Sequence, residues 1–251
     1  MSSATPELLV AGTVQSSAVD GPGNRFVLFL QGCNLDCTAC HNPSTIGRGA
    51  DADPEAKRVT VEELIAEIRP LAPFRSGITV TGGEPTLQLK GLVGLFTAIK
   101  SDDELQGLTT LLDTNGTLSR HGWEQLLPVL DGAMVDLKAA DRELNRRLTG
   151  TCNQRVKESI RSLAEAGRLT EVRLLVVEGV TDTDEELEAW ARFTRSVDAD
   201  TPVRLMAFRH AGTRAEAKQW PETSPEAMDQ VRDRLIDLGL TRVSAGLARV
   251  D

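Results

Sequence analysis

Three cysteines within eight residues constrain this chain more than any other feature. Cys33, Cys37 and Cys40 have the spacing CxxxCxxC, whereas the fourth cysteine, Cys152, lies far away in the sequence. Spacings of two and three residues allow one loop to bring its sulfurs around a single soft metal centre. Because a tetrahedral metal or a cubane iron–sulfur cluster takes four ligands, the triad predicts a reactive site with one coordination position left open.

A structural zinc site is the alternative interpretation, with Cys152 or His41 as the fourth ligand. Structural zinc usually takes two pairs of closely spaced ligands, and the sequence has no second pair. His41 directly follows Cys40, so both side chains reach one ion only with an awkward backbone. The spacing therefore favours an open iron–sulfur site. A disulfide is not expected, because nothing marks the chain as secreted.

Length and charge narrow the class of protein. The 251 residues suit one large α/β barrel or two small domains, and the lack of a linker-like segment favours a single domain over residues 1–251. The net charge of −9 argues against a nucleic-acid partner, since phosphates repel an acidic surface. No apolar run approaches the ~20 residues of a membrane span, and no signal peptide is evident. We therefore expect a cytoplasmic protein without a membrane partner.

Apolar, strand-like runs alternate with helical patterns along the chain. The run 24–30 immediately precedes the cysteines, and strand–loop–helix units follow at intervals of roughly thirty residues. This alternation predicts parallel strands with helical crossovers. About six units are too few for a closed eight-unit barrel, so we predict an α/β fold, a partial (β/α)6 TIM-like barrel open on one side. A doubly wound open sheet is the alternative.

Local composition predicts three further features. Residues 7–14 are expected to form a short edge strand, and the polar residues 47–58 a surface loop. A helix is expected to begin at Thr60, with Glu63 at the capping-box position.

Residues with chemical uses are concentrated directly after the predicted strands. Cys33, Glu84, Asp113, Lys138 and His210 each follow an apolar run. A parallel barrel places the carboxyl ends of its strands at one rim, so these segments are expected to converge on one site. Loops are generally polar, but this tendency accounts less well for a cysteine triad and a Gly-Gly-Glu sequence than a shared site does.

Some of these residues have a definite chemical use. Gly82 and Gly83 let the backbone approach a ligand closely, because neither has a side chain, and Glu84 can accept hydrogen bonds from an ammonium group. Lys138 and Arg173 each offer a cation to a carboxylate.

Each of the singled-out residues also has a structural interpretation. Asp113 and Asp136 suit loop caps or salt bridges, and Arg173 suits a buried strand residue paired with a neighbour. A lone histidine after a strand, such as His210, is usually structural, although it can both donate and accept hydrogen bonds.

The cysteine loop resembles that of a known superfamily. The triad followed by His-Asn, and preceded by Asp-Gly-Pro-Gly at 20–23 and Phe-Leu-Gln-Gly at 29–32, resembles the cluster loop of radical S-adenosylmethionine enzymes. From about Val14 to Gly212 the chain resembles the glycyl radical enzyme activases, such as the pyruvate formate-lyase activating enzymes. It is most similar to an uncharacterised branch of them whose members often insert a ferredoxin-like domain after the cluster loop.

The resemblance implies a chemistry and its partners. A [4Fe-4S] cluster on Cys33, Cys37 and Cys40 would reductively cleave S-adenosylmethionine, and the resulting 5′-deoxyadenosyl radical would take a Cα hydrogen from a glycine of a partner, a glycyl radical enzyme. Residues 47–58 contain no cysteine, so the ferredoxin-like insert is missing and a separate ferredoxin or flavodoxin is expected to donate the electron.

Two alternatives remain open. One is a radical S-adenosylmethionine enzyme acting on a small molecule or another protein, which would share every cofactor residue. The other is a zinc-stabilised binding module without catalysis.

The resemblance also implies roles for individual residues. Gly83 matches a backbone position beside the methionine part of the cofactor. The position that is often aromatic and lies against adenine is Ala39 here, so adenine is expected to stack elsewhere. The expected cofactor-binding residues are Ala39, His41, Gly82, Gly83, Glu84, Asp136, Lys138, Arg173 and His210, with Arg209 as the alternative to His210. Asp113, Thr114, Met134 and Asp136 match a monovalent-cation site, and Asp20, Gly21 and Gly23 match the segment near the partner's entry.

Overall fold

A computed structural model describes residues 6–245, in which strands and helices alternate. The strands are β1 (Glu7–Ser17), β2 (Arg25–Leu30), β3 (Lys57–Thr60), β4 (Gly77–Gly82), β5 (Thr109–Thr114), β6 (Gly132–Asp136), β7 (Leu169–Val176), β8 (Val203–Ala207) and β9 (Val243–Ala245). The α-helices are α1 (Val61–Ile68), α2 (Leu89–Ser101), α3 (Arg120–Leu126), α4 (Arg142–Thr149), α5 (Gln154–Glu165), α6 (Asp184–Val197) and α7 (Pro225–Asp237). Short 3-10 turns cover Pro43–Thr45, Gly49–Asp51, Arg69–Phe74, Pro85–Gln88, Leu127–Val129 and Ala215–Gln219.

The described residues form two compact units. The first unit contains residues 6–34, 44–114 and 118–134, and the second contains residues 35–43, 115–117 and 135–245. The single domain expected from the sequence stays a prediction. No helix within residues 6–245 combines the length and the apolar character needed to span a membrane.

The strands of the first unit follow the order β3-β1-β2-β4-β5-β6. β2 pairs with β4 and β4 pairs with β5 in parallel, whereas β1 runs antiparallel to both of its neighbours. The apolar run of β2 is explained by its central position, because Phe26, Val27 and Leu28 are fully buried. Parallel strands covered on both faces have such continuous apolar sequences.

Two local predictions in this unit are wrong. β1 is not an edge strand, because β3 pairs with it from Glu7↔Thr60 to Val10↔Lys57 and occupies the edge itself. β3 begins inside the segment predicted to be a loop. Its four residues, Lys-Arg-Val-Thr, are too short and too polar to show an alternating apolar pattern. The helix start is confirmed: Thr60 and Glu63 form the reciprocal capping box of α1.

The second unit continues the alternation in the order β6-β7-β8-β9, with β7–β8 and β8–β9 parallel. A buried carboxylate stabilises the connection after β6. Glu186 of α6, only 3% exposed, accepts hydrogen bonds from the backbone N–H groups of Ala140 and Asp141, at 2.9 Å for the second. Burial raises the pKa of Glu186 above its ordinary value despite these bonds.

The predicted fold class is confirmed. The structure is mixed α/β with parallel strands connected by helices, and β3 and β9 each have a single neighbouring strand. The sheet is therefore not closed into a barrel, as the number of strand–helix units predicts.

A buried arginine fixes the amino ends of three strands in the first unit. The side chain of Arg25, at the start of β2, is fully buried and contacts Thr79 Oγ1 at 2.6 Å, Thr109 O at 2.9 Å and the carbonyl of Ile78. Burial lowers its pKa to about 10, partly offset by Asp131, which leaves it charged at neutral pH. The guanidinium thus donates, from a buried position, to backbone carbonyl oxygens of β4 and β5.

We expect Arg25→Lys to lower the free energy of unfolding by about 2 kcal/mol. A lysine ammonium cannot reproduce the planar fork that contacts three strands, and each lost charged hydrogen bond is worth about 1.5–3 kcal/mol. Urea denaturation measures the change. Arg58→Lys is the control, because Arg58 lies on the exposed strand β3. Equal midpoints for the two variants would contradict this account.

At the carboxyl end of β4, the backbone lies in direct contact with the backbone at the end of β2 and just after it. A Cβ atom on Gly83 would lie 2.2 Å from Gly32 O and 2.6 Å from Thr45 O, both backbone atoms. At Gly82, which has φ +120°, a Cβ would lie 2.3 Å from Leu30 N. A hydrogen bond joins the two segments, with Gly83 N–H donating to Leu30 O at 2.8 Å. The glycine pair is thus required by close approach of the protein's own backbone.

Gly83→Ala is therefore expected to cost about 1–3 kcal/mol or more, because the overlapping atoms belong to the backbone and cannot rotate away. Thermal unfolding followed by circular dichroism measures the loss. Gly107→Ala is the matched control, since a Cβ there has nothing within 4 Å. A Gly83→Ala variant as stable as Gly107→Ala would mean that the approach is looser than the structure indicates.

Candidate functional site

The beginning of the cysteine loop is anchored in the first unit. Gly32 N–H donates to Thr45 O at 2.8 Å and Cys33 N–H to Ile46 O at 3.0 Å. The buried side chain of Gln31 donates from Nε2 to Ser44 O and Gly47 O, both at 2.9 Å. Cys33 therefore leaves β2 on a segment whose backbone is already paired.

The middle of the loop belongs to the second unit and is anchored by α4. Thr38 N–H donates to Leu148 O at 3.0 Å, and Asp36 N–H lies 3.5 Å from Thr149 O. These carbonyls are in the last turn of α4, where intrahelical donors are lacking. The segment around Cys37 thus caps the helix.

Arg214, in the segment after β8, also contacts this loop. Its Nη1 donates to Asp36 Oδ1 at 2.6 Å, and its Nη2 donates to the backbone carbonyl of Cys37. The third donor, Nε–H, is buried and has no acceptor among residues 6–245. A buried donor without an acceptor costs about 1–3 kcal/mol.

Three closely spaced thiols are a ligand set that an iron–sulfur cluster takes. Cys33, Cys37 and Cys40 are all reduced, half-buried thiols. Bound sulfide and thiolate sulfurs would also bring hydrogen-bond acceptors to the neighbourhood of the Arg214 Nε–H. Within the described part of the chain, no group of three His, Cys, Asp or Glu residues is arranged around a single ion. The three cysteines are not so arranged either, so this geometry does not separate a cluster from a zinc ion.

Glu84, in the first unit, is completely buried. Its Oε1 accepts from Thr86 N at 3.0 Å, from Thr86 Oγ1 at 2.5 Å and from Thr114 Oγ1 at 2.8 Å. The carboxylate thus connects the turn after β4 to the end of β5. Its expected contact with a cofactor ammonium stays a prediction.

The residues expected to hold a monovalent cation are divided between the units. Asp113 lies inside β5, not after it as expected, and Asp113 Oδ2 accepts from Thr81 Oγ1 at 3.2 Å. Thr114 and Met134 are buried in the same unit, whereas Asp136 belongs to the second. The cation site stays a prediction.

Four of the expected cofactor-binding residues lie in one neighbourhood of the second unit. Lys138 Nζ contacts Asp136 Oδ2 at 2.7 Å. The His41 ring stacks on Phe208 with centroids 6.4 Å apart, and His210 meets the same phenyl ring edge-on at 5.6 Å. Burial and the charge of Lys138 lower the pKa of His41 below 6.5, outweighing Asp136 and a hydrogen bond to the Arg209 backbone. The lowered pKa favours the neutral form of the His41 ring.

The other expected residues of this unit have partners within the protein. Arg173, on β7, forms an ion pair with Glu171 at 2.6 Å, the structural interpretation given above. His210 Nε2 lies 2.8 Å from Trp220 O. Ala39 packs against the buried cluster that contains Phe208, with Trp220 beside it. The small side chain at position 39 thus adjoins aromatic residues supplied by a distant segment.

Asp20–Gly23 lies at the other end of β2 from the cysteines. In the sequence the turn precedes Arg25, whereas Cys33 follows Leu30, the last residue of the strand. Thr79 Oγ1 donates to Asp20 O at 2.6 Å, and Arg25 Nη1 to Pro22 O at 3.2 Å. Thr79 is the third residue of β4, so Asp20 lies beside that strand, and the partner-binding role expected for this segment stays a prediction.

The sequence analysis missed Arg25, Arg214 and Glu186. Each acts through a contact with residues far away in the sequence. Only Arg25 left a signal that could have been used, because a charged residue begins an otherwise apolar strand.

Comparison with known proteins gives the family. The radical SAM superfamily matches residues 27–193. The pyruvate formate-lyase 1-activating enzyme of Escherichia coli strain K12 is 34% identical over 200 residues, which cover 77% of this chain and 78% of that enzyme.

Two solved structures share the fold. A radical SAM methyltransferase from Sphaerobacter thermophilus has a TM-score of 0.65 at 18% identity, covering 88% of this chain and 66% of its own. A domain of the pyruvate-formate lyase-activating enzyme from Bacteroides vulgatus has a TM-score of 0.56 at 22% identity, covering 68% and 99%. The family inferred from the cysteine loop is confirmed: the chain belongs to the radical SAM superfamily and, within it, to the family of the pyruvate formate-lyase-activating enzymes.

Proposed function

We propose that this chain activates a glycyl radical enzyme, with Cys33, Cys37 and Cys40 ligating a [4Fe-4S] cluster. The observation that carries the proposal is the anchored loop of three reduced thiols, in a chain similar over three quarters of its length to a pyruvate formate-lyase 1-activating enzyme. When bound, the reduced cluster supplies the electron that cleaves S-adenosylmethionine into methionine and the 5′-deoxyadenosyl radical.

The residues of the chain bind and orient the cofactor. Gly82 and Gly83 place a backbone without side chains beside the cysteine loop. Lys138, held by Asp136, offers a cation to the cofactor carboxylate, and Arg173 is a second such cation. The His41 ring stacks on the buried phenyl ring of Phe208, which gives this neighbourhood an apolar side. Asp113, Thr114, Met134 and Asp136 are proposed to hold a monovalent cation.

The substrate is proposed to be a glycine of a large partner enzyme. Support comes from the relatives, whose names specify pyruvate formate-lyase as their target. The electron is proposed to come from a separate ferredoxin or flavodoxin. Action on a small molecule or another protein is the second candidate, because such a radical S-adenosylmethionine enzyme would share every cofactor residue. The zinc-stabilised module is not favoured, because relatives at 32–34% identity are named as pyruvate formate-lyase-activating enzymes.

We expect the reconstituted protein, reduced under anaerobic conditions, to convert S-adenosylmethionine to 5′-deoxyadenosine. With a pyruvate formate-lyase as the candidate partner, electron paramagnetic resonance should show a glycyl doublet. Cys33→Ala, Cys37→Ala and Cys40→Ala should each abolish both products, because a cluster with two thiolates is not retained. Cys152→Ala, outside the triad, should change neither.

The outcomes separate the candidate functions. Formation of 5′-deoxyadenosine without a glycyl signal from any glycyl radical enzyme would favour a small-molecule substrate. A protein that binds zinc but no iron and sulfide after reconstitution would contradict both radical proposals.

Asp20→Ala tests the proposed partner-binding segment. We expect activation of the partner to fall by about tenfold or more, the effect of removing an interface hot spot. Cleavage of S-adenosylmethionine without partner should fall much less, because Asp20 is not among the residues proposed to bind the cofactor. Asp103→Ala, on the exposed turn after α2, is the control. Equal losses in both assays would count against a partner-specific role.

A further inference from the structure

We propose that Arg214 is a positioning residue of the cysteine loop and makes the bound cluster easier to reduce. The proposal rests on the cluster of the proposed function, and it adds a residue that lies outside the cysteine motif. Arg214 follows Cys37 by 177 residues in the sequence, yet its guanidinium contacts the loop directly.

The Arg214 guanidinium binds two adjacent residues of the cysteine loop at once. The two terminal nitrogens of Arg214 contact neighbouring residues, the Asp36 carboxylate and the Cys37 carbonyl. Planar, forked donors suit such paired acceptors better than a single ammonium does. Because Cys37 is the central thiol of the triad, movement of its carbonyl would displace the sulfur from its position between Cys33 and Cys40.

Neighbouring segments complete the anchor. Thr38 N–H caps the last turn of α4 through Leu148 O. Gly212, two residues before Arg214, passes so close to His41 that a Cβ on it would lie 2.5 Å from the His41 carbonyl oxygen. The segment that carries Arg214 therefore contacts the loop on both sides of Cys40, at Cys37 and at His41.

Two opposite charges near the loop determine the direction in which Arg214 shifts the reduction potential of the cluster. The carboxyl end of α4 places partial negative charge beside the loop, because its last carbonyls point there. Reduction adds one negative charge to a cluster, so this helix end opposes reduction and the guanidinium favours it. Hydrogen bonds to cluster sulfurs and nearby charge both tune reduction potentials, and the Arg214 Nε–H is a buried donor without an acceptor in residues 6–245.

The test uses the full chain with its cluster reconstituted under anaerobic conditions. Arg214→Gln removes the charge and the fork, whereas Arg214→Lys keeps the charge and loses the fork. Lys218→Gln is the matched control, because Lys218 is an exposed cation of the same segment. The measurements are the iron and sulfide content, the rate of iron release to a chelator, and the reduction potential from the electron paramagnetic resonance signal of the reduced cluster.

We expect Arg214→Gln to release iron about tenfold faster than wild type, a loss typical of residues that orient metal ligands, and to have a lower reduction potential. Arg214→Lys should release iron faster but keep a potential near wild type. Lys218→Gln should match wild type in both measurements. The proposal is overturned if Arg214→Gln and Lys218→Gln behave alike.

Asp36→Asn provides a second test if Arg214→Gln does not fold. It keeps an oxygen acceptor for Arg214 Nη1 but removes the negative charge, so iron release should accelerate while the potential does not fall. Unchanged iron release in Asp36→Asn would also overturn the proposal. If the wild-type protein retains no iron and sulfide, the proposed function fails. If the wild-type protein retains its cluster and the Arg214 and Asp36 variants do not differ from it, only this inference fails.

Discussion

Backbone hydrogen bonding on both sides of the cysteine loop is the constraint on which the candidate site depends. A loop that carries three metal-binding thiols contains little regular structure, so its shape must come from its neighbours. Gly32 and Cys33 pair with Thr45 and Ile46 in the first unit, and Thr38 pairs with Leu148 in the second. The residue after the glycine pair at the end of β4 takes part as well, since Glu84 N–H donates to Gly32 O at 2.7 Å. These contacts hold the backbone in place before any metal binds.

The same contacts change the interpretation of a familiar sequence motif. Gly82 and Gly83 suggested a backbone left open for a ligand, yet their absent side chains make room for the ends of β2 and the cysteine loop. The motif thus has a structural requirement of its own, which any role in cofactor binding would share. Glu84 is similar, since its carboxylate already joins Thr86 and Thr114. A motif can be tied to a function while its residues are required by the fold.

Sequence patterns predicted the elements well because most of them are determined locally. The apolar run of β2, the capping box at Thr60 and the strand–helix alternation each depend on residues close together in the chain. β3 was missed because four residues with a single apolar side chain, Val59, form a strand only when β1 lies beside them. Arg25 and Arg214 were missed for a related reason. Their partners are separated from them by up to 84 and 178 residues, and no spacing rule connects such positions.

The buried carboxylate of Glu186 has a consequence for the cofactor binding that we propose at Lys138. By holding the backbone of Ala140 and Asp141, it orders the segment that directly follows Lys138. A segment that is already rigid loses little conformational entropy when a small molecule arrives. The free energy of contacts made with a small molecule at this segment would therefore appear almost fully as affinity, because little of it would offset the ordering of a flexible chain.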